Sequence, residues 1–241
     1  GTVTVRKAIA DSMNVCAVKT LTEITPQLGF DYLLNFGFTT LVQNRTEKDG
    51  SVVSDIQQPL ALGGITDGIT NLEITAAYAT IANQGTYTRP VFYSKVVDSN
   101  GRILLDNTTP TTHTVLKSST ASLLTQGMTS VITEGTGKAC ALTDGMPVSG
   151  KTGTTSSAYD LWFCGYTPYL TASIWTGYDE NKELGSDQAY HERLWSKIMS
   201  QIDQVKGYKI KDFEMSDDVE EVTLCSSSGA LAIEGVCPHT Y

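Results

Sequence analysis

Apolar residues recur at helical spacing from the first residues of the chain. Val5, Ala8, Ile9, Ser12, Val15, Cys16 and Leu21 fall on one face of a helix opened by Thr4. A second helix is predicted over 26–35, stopped by Gly37, and the stretch from there to Gln58 is polar and irregular. Leu62-Gly63-Gly64 reads as a tight backbone turn. Asn71 is a good N-cap for a helix over 72–84, which carries Ile74, Ala77, Tyr78 and Ile81 and stops at Gly85. Two short apolar runs, 93–98 and 102–106, flank Asn100-Gly101, the strongest hairpin signal in the chain. Further helices are expected at 119–133 and 189–205, the latter amphipathic with Leu194, Trp195, Ile198 and Ile202 inward.

Between those two helices the pattern changes to strands. Residues 148–155, 159–168 and 170–178 form a predicted three-stranded meander. Its turns are Ser156-Ser157-Ala158 and Thr167-Pro168, and Asp179-Glu180-Asn181 ends it. Trp162, Phe163, Trp175 and Tyr178 are read as core residues of this sheet. Antiparallel strands packed under helices from both ends of the chain predict an α+β sandwich.

At 241 residues the chain can bury a substantial core. Its net charge of −9 argues against nucleic acid, which demands clustered Lys and Arg. Residues 212–221 hold six acids and no base, so 1–211 reads as the main domain and 212–241 as an acidic linker and accessory tail. No apolar stretch of about 18 residues occurs, so no membrane-spanning helix is expected within the chain. Of five cysteines, Cys16, Cys140 and Cys164 sit in apolar surroundings and read as buried small hydrophobes. Cys225 and Cys237 flank a Ser- and Gly-rich segment that a bridge would close into a small loop. His113, His191 and His239 are scattered, no Cys/His cluster has metal spacing, and neither metal nor cofactor is implied.

The candidate chemistry lies in Val148-Ser-Gly-Lys-Thr-Gly-Thr-Thr155. In a strand, Lys151 and Gly153 share one face while Thr152 and Thr154 share the other. Gly153 lets another backbone approach closely. Lys151 beside the threonine hydroxyls makes a local apparatus for holding a carboxylate. Ser12-Met13-Asn14 lies 139 residues upstream of Lys151. On a regular helix Ser12 and Asn14 would diverge by about 200°, so both serve one cleft only at a turn or helix end.

Ser-x-Asn followed by Lys-Thr-Gly is two thirds of the motif set of serine β-lactamases and penicillin-binding proteins. Taken with the Thr4-to-Val15 run, Leu62-Gly-Gly, Ala76-to-Gly85, Gly135-Thr-Gly, Asp160-Leu-Trp-Phe and Trp175-Thr-Gly-Tyr-Asp, the chain resembles the transpeptidase domain of a class A, bifunctional penicillin-binding protein. The resemblance covers nearly the whole chain. It implies the β-lactamase-like fold, an antiparallel sheet flanked by helices on both faces with a helical subdomain. It also implies peptidoglycan D,D-transpeptidation through an acyl-serine, with stem peptides ending in D-Ala-D-Ala and β-lactams as ligands. Ser12 would relay a proton, Asn14 would hold the substrate backbone, and Lys151, Thr152 and Thr154 would bind the carboxylate. Gly153 would admit the substrate, and the Thr154 N–H would supply half of an oxyanion hole. The departure is that no Ser-x-x-Lys occurs. Imitations of it include Cys16-x-x-Lys19 and Thr114-x-x-Lys117. The nucleophile and base are therefore expected on an N-terminal fragment or chain, as is an anchor holding the protein at the extracytoplasmic face of a bacterial membrane. The alternatives are a D,D-carboxypeptidase or β-lactamase-like hydrolase, and a non-catalytic penicillin-binding sensor.

Overall fold

The computed structural model describes residues 1–225 and 230–237. Part of the Ser- and Gly-rich segment, and His239, lie outside the described residues. The centre is a three-stranded antiparallel sheet of β7 (Ser149–Thr154), β8 (Asp160–Tyr166) and β9 (Thr171–Gly177), in that spatial order. The predicted meander is thus present, in a register that pairs Lys151 with Cys164 and Gly153 with Trp162.

Side-chain alternation along these strands assigns the layers. Phe163 points to one face and meets Trp195 edge-on, their ring centroids 4.8 Å apart. Trp195 belongs to α6 (Tyr190–Lys206), which covers that face. The neighbouring residue Cys164 points the other way, alongside Ser173. There Ser173 hydrogen-bonds Asn71 and Thr75 of α4 (Asn71–Ala82). On this face Tyr166 and Ser149, a cross-strand pair, both bond Thr125 of α5 (Ser118–Thr133), each at 2.8 Å. The main core joins Val131, Ile132, Cys140, Leu142, Met146, Val148, Phe163, Trp195 and Met199. Helices on both faces of an antiparallel sheet are the architecture expected.

A second, smaller core forms the helical subdomain. Leu21 of α2 (Asn14–Ile24), Phe30 of α3 (Pro26–Asn35) and Leu60 pack together, with Leu33, Leu41 and Ile56 around them. The loop wall beside it is stapled by Asp55, which is fully buried and accepts from the N–H groups of Val42 and Thr66 and from the Thr66 hydroxyl. Two minimal strands, β1 (Arg45–Thr46) and β2 (Val52–Val53), pair within the stretch read as irregular. β3 (Thr86–Thr88) pairs with β6 (Thr112–Thr114), and the Asn-Gly hairpin is β4 (Lys95–Val97) with β5 (Ile103–Asp106).

Several expectations are corrected. The first predicted helix is broken: α1 spans Val5–Ala10, and α2 starts afresh at Asn14. The N-cap of α4 is Thr70, one residue earlier than expected. Its hydroxyl accepts the Glu73 N–H, and the Glu73 carboxylate reaches back in a capping box. On α6, Trp195 is buried, but Leu194 and Ile198 are 44% and 43% exposed, because the helix presents its Glu192–Trp195–Met199 stripe to the sheet instead. Trp175 and Tyr178 are also exposed rather than core. Trp175 leans on Trp162 and donates its indole N–H to Asp160 at 2.9 Å, at the open end of the sheet. Cys140 and Cys164 are buried as expected, and Cys16 is half-buried. No disulfide is formed among the described residues, so the Cys225–Cys237 bridge is not present in this structure.

The acid-rich segment starts as a strap on the domain. Lys211 lies over the Tyr169 ring, Phe213 meets Tyr166 edge-on at 5.5 Å, and Ser216 bonds Ser118 and Ser122 of α5. None of the helices among the described residues is long and apolar enough to cross a membrane.

Candidate active site

The site begins with how α1 ends. Ser12 has φ +55°, a left-handed conformation rare outside glycine and asparagine. Its N–H donates to the Ile9 carbonyl at 3.1 Å, while the Met13 N–H reaches back to Ala8 at 2.9 Å. That pair of bonds is a Schellman motif, with Ser12 in the position glycine usually takes. The conformation costs on the order of 1 kcal/mol for a residue with a Cβ. The turn lifts the Ser12 hydroxyl off the helix, and Asn14 opens α2 two residues later, exposed at its first position. The condition set by the sequence, that the Ser-x-Asn segment be a turn, is met.

Opposite stands β7, which among the described residues is an edge strand paired with β8. Lys151 extends from it, half-buried, and its ammonium donates to the Ser12 hydroxyl at 2.7 Å and to the Thr152 carbonyl at 2.8 Å. Residues 139 apart in the chain therefore meet. Burial lowers the Lys151 pKa to about 8, with the carboxylate of Glu192 pulling the other way. Glu192 lies near the start of α6. Burial raises its pKa, and the Lys151 charge and a hydrogen bond from Cys140 oppose the rise.

The backbone of β7 is oriented by the ladder. The Thr155 N–H donates across to the Asp160 carbonyl at 3.1 Å, so that residue faces β8. In an antiparallel pair, alternate residues turn their N–H and C=O to opposite sides. Thr154 and Thr152 therefore turn theirs to the open edge, where the Thr152 carbonyl meets Lys151. The Thr154 N–H is left as an outward donor beside the same groove. Gly153 sits between them, and a Cβ there would meet the Trp162 Cβ at 3.3 Å, a tight but yielding contact. Its missing side chain thus accommodates Trp162 as well as keeping the groove wall low.

A residue not singled out in the sequence completes the wall. Thr136 follows α5, and its hydroxyl lies 2.7 Å from that of Thr152. Its N–H donates to the Ala10 carbonyl at 3.1 Å, tying this loop to the end of α1. Gly135 permits the approach: a Cβ there would lie 2.2 Å from the Ala10 oxygen. The Gly135-Thr-Gly run, which carries part of the family resemblance, is the available signal. Ser12, Lys151, Thr152 and Thr136 are thus joined by hydrogen bonds, and Gly153 and Thr154 line the same strand. Nothing in this arrangement fits a metal, and no three His, Cys, Asp or Glu among the described residues group to hold one.

Comparison with known proteins agrees with this geometry. Residues 1–200 match the family model described as "Penicillin binding protein transpeptidase domain". The chain is 34% identical to penicillin-binding protein 1A of Aquifex aeolicus, over 99% of this chain and 32% of that protein. It is 32% identical to penicillin-binding protein 1F of Bacillus subtilis, over 98% of this chain and 33% of that one. The chain therefore spans about a third of the length of these relatives. Among solved structures, the penicillin-binding protein PonA1 of Mycobacterium tuberculosis superposes with a TM-score of 0.73 at 26% identity, covering 91% of this chain and 60% of that one. A structure of the same protein in complex with penicillin V gives a TM-score of 0.75 at 24% identity, covering 91% and 61%. With the family model spanning most of the chain and the Ser-x-Asn and Lys-Thr-Gly motifs meeting across one groove, this chain belongs to the penicillin-binding protein transpeptidase domain family.

Proposed function

We propose that this groove is the greater part of a peptidoglycan D,D-transpeptidase site, completed by a nucleophilic serine and a base lysine on polypeptide outside this chain. The observation that carries the reading is the Lys151–Ser12 contact at 2.7 Å. The serine oxygen would attack the carbonyl between the two terminal D-alanines of a stem peptide, passing its proton to the base lysine. The oxyanion would be held by the outward Thr154 N–H, and loss of one such donor costs about 10²–10³-fold in rate. As the C–N bond breaks, Ser12 would give its proton to the departing D-alanine amine and be reprotonated through Lys151. That general acid step is worth about 10²–10⁴-fold. A half-buried ammonium at Lys151, with the Thr152 and Thr154 hydroxyls, would hold the terminal carboxylate. Asn14 would bind the substrate backbone. An acceptor amine would then take the acyl group and free the serine.

A β-lactam presents an acyl group and a carboxylate in a similar relation, so it would enter the same groove and stay as an ester. The chemistry belongs outside the cytoplasm, and we place the intact protein at the outer face of a bacterial membrane, anchored by a segment beyond this chain. Residues 212–241 would serve as an accessory tail to the catalytic unit 1–211, which Phe213 and Ser216 contact where the tail starts. The test is product analysis of the intact protein with a stem pentapeptide and an amine acceptor. A cross-linked product with release of one D-alanine is expected. Hydrolysis without cross-linking at saturating acceptor would sink the transferase reading.

A further inference from the structure

Three consecutive N–H groups clamp the loop that follows α5. Gly135 donates to the Ser130 carbonyl at 2.9 Å, Thr136 to Ala10 at 3.1 Å and Gly137 to Val131 at 2.9 Å. The clamp fixes the backbone beneath an exposed side chain, that of Thr136. Its hydroxyl lies 2.7 Å from that of Thr152 on β7, a contact open to donation from either side. An exposed bond between two neutral hydroxyls adds little to stability, because each would otherwise bond water. What such a bond can fix is the direction of a proton.

A hydroxyl carries one proton and two lone pairs, whereas a carboxylate only accepts. When the Thr152 hydroxyl holds the terminal carboxylate of a ligand, its one proton is spent there. The bond to Thr136 must then run one way, with the Thr136 hydroxyl donating and the Thr152 oxygen accepting. Thr136 thereby occupies a lone pair of Thr152 and leaves the Thr152 proton free for the groove. It also makes Thr152 a better donor, since hydrogen bonds in a chain polarise one another. Thr152 and Thr154 share a face of β7 about 7 Å apart along the strand, a spacing that admits one carboxylate between their hydroxyls.

We propose that Thr136 is a positioning residue for carboxylate recognition, donating to Thr152 and so aiming the Thr152 proton at the carboxylate of a stem peptide or penicillin. The assignment rests on the acyl-transfer reading. Its test is the rate at which a penicillin and its methyl ester acylate the intact protein, followed by protein mass, in the parent, Thr136→Val and Thr136→Ser. Valine keeps the branched shape and the backbone bond to Ala10 but has no proton to donate, and serine restores the hydroxyl. Thr136→Val is expected to slow the acid about 5-fold, the worth of one ordinary hydrogen bond. The ester is a neutral, weaker acceptor and should slow by no more than about 2-fold. Thr136→Ser should recover most of the parent rate with the acid. An equal loss for acid and ester would mark a loosened wall and overturn the proposal. So would a Thr136→Val rate equal to the parent's, or a Thr136→Ser rate as low as that of Thr136→Val. A parent that the free acid fails to acylate would defeat the acyl-transfer reading itself, and this assignment with it.

Discussion

The joint between the two halves of the groove can be tested at Gly135, which packs against the end of α1. A methyl group added there would meet the Ala10 oxygen at 2.2 Å, the Ala10 carbonyl carbon at 2.8 Å and the Val131 Cα at 2.9 Å. All three are backbone atoms, so none can rotate aside, and the loop must separate from the end of α1. The Thr136 N–H to Ala10 bond is lost in the process, and Ser12, two residues beyond Ala10, moves with α1 relative to Lys151. Overpacking of this kind costs about 1–3 kcal/mol. A misplacement of about 1 Å at a reacting group can cost about 100-fold in rate. Gly137→Ala is the matched control. Its methyl would press on the side-chain ends of Ile132 and Val131, at 3.1 Å each, and would meet the Val131 carbonyl oxygen only at an ordinary contact distance of 3.5 Å. Urea unfolding and the rate of labelling by a fluorescent penicillin should both be measured on the intact protein. Gly135→Ala is expected to lose about 1–3 kcal/mol and about 100-fold in labelling rate, with Gly137→Ala near the parent in both. If Gly135→Ala matched the parent, the loop would not be what sets the Ser12–Lys151 distance.

Two further outcomes follow from the electrostatics. Because burial brings Lys151 down to about 8, its positive charge is present below that pH and lost above it. Acylation by carboxylate-bearing penicillins should therefore decline as pH rises through about 8, and Glu192→Gln should move the decline to lower pH by removing the opposing charge. A pH–rate profile unchanged by Glu192→Gln would refute that coupling. At Glu73, burial pushes the pKa up but hydrogen bonds from Thr39 and Thr70 outweigh it, and the net shift is downward. Its stabilising contribution is thus complete above the ordinary value of 4.5 and is lost as pH falls below it. Glu73→Ala should cost about 2 kcal/mol at neutral pH, and the deficit should shrink in acid; a pH-independent deficit in urea titrations would contradict the assignment.

Much of this architecture was legible because its signals are local. The Pro-to-Asn bounds of α3, the Asn-Gly hairpin and the strand–turn–strand run through Lys151 are fixed by turn chemistry within a few residues. The break between α1 and α2 was not legible. The apolar spacing of Val5, Ile9, Ser12 and Cys16 runs straight through it, and the left-handed residue is a serine rather than the glycine that ordinarily marks a helix end. The outward turn of Leu194 and Ile198 was hidden for another reason. Periodicity gives the width of an apolar face, while the sheet decides which part of it is covered. Lys151 and Ser12 were singled out by their motifs, and the structure brings the two side chains into contact, but Thr136 and Glu192 join them only through contacts between distant segments.

The central claim is that Lys151 serves the groove it shares with Ser12. Labelling of the intact protein with a fluorescent penicillin, parent against Lys151→Ala, tests it most directly. A half-buried lysine adds little packing, so circular dichroism and melting temperature should be nearly unchanged while the label is no longer incorporated. A Lys151→Ala protein that is folded and labels as fast as the parent would contradict the account.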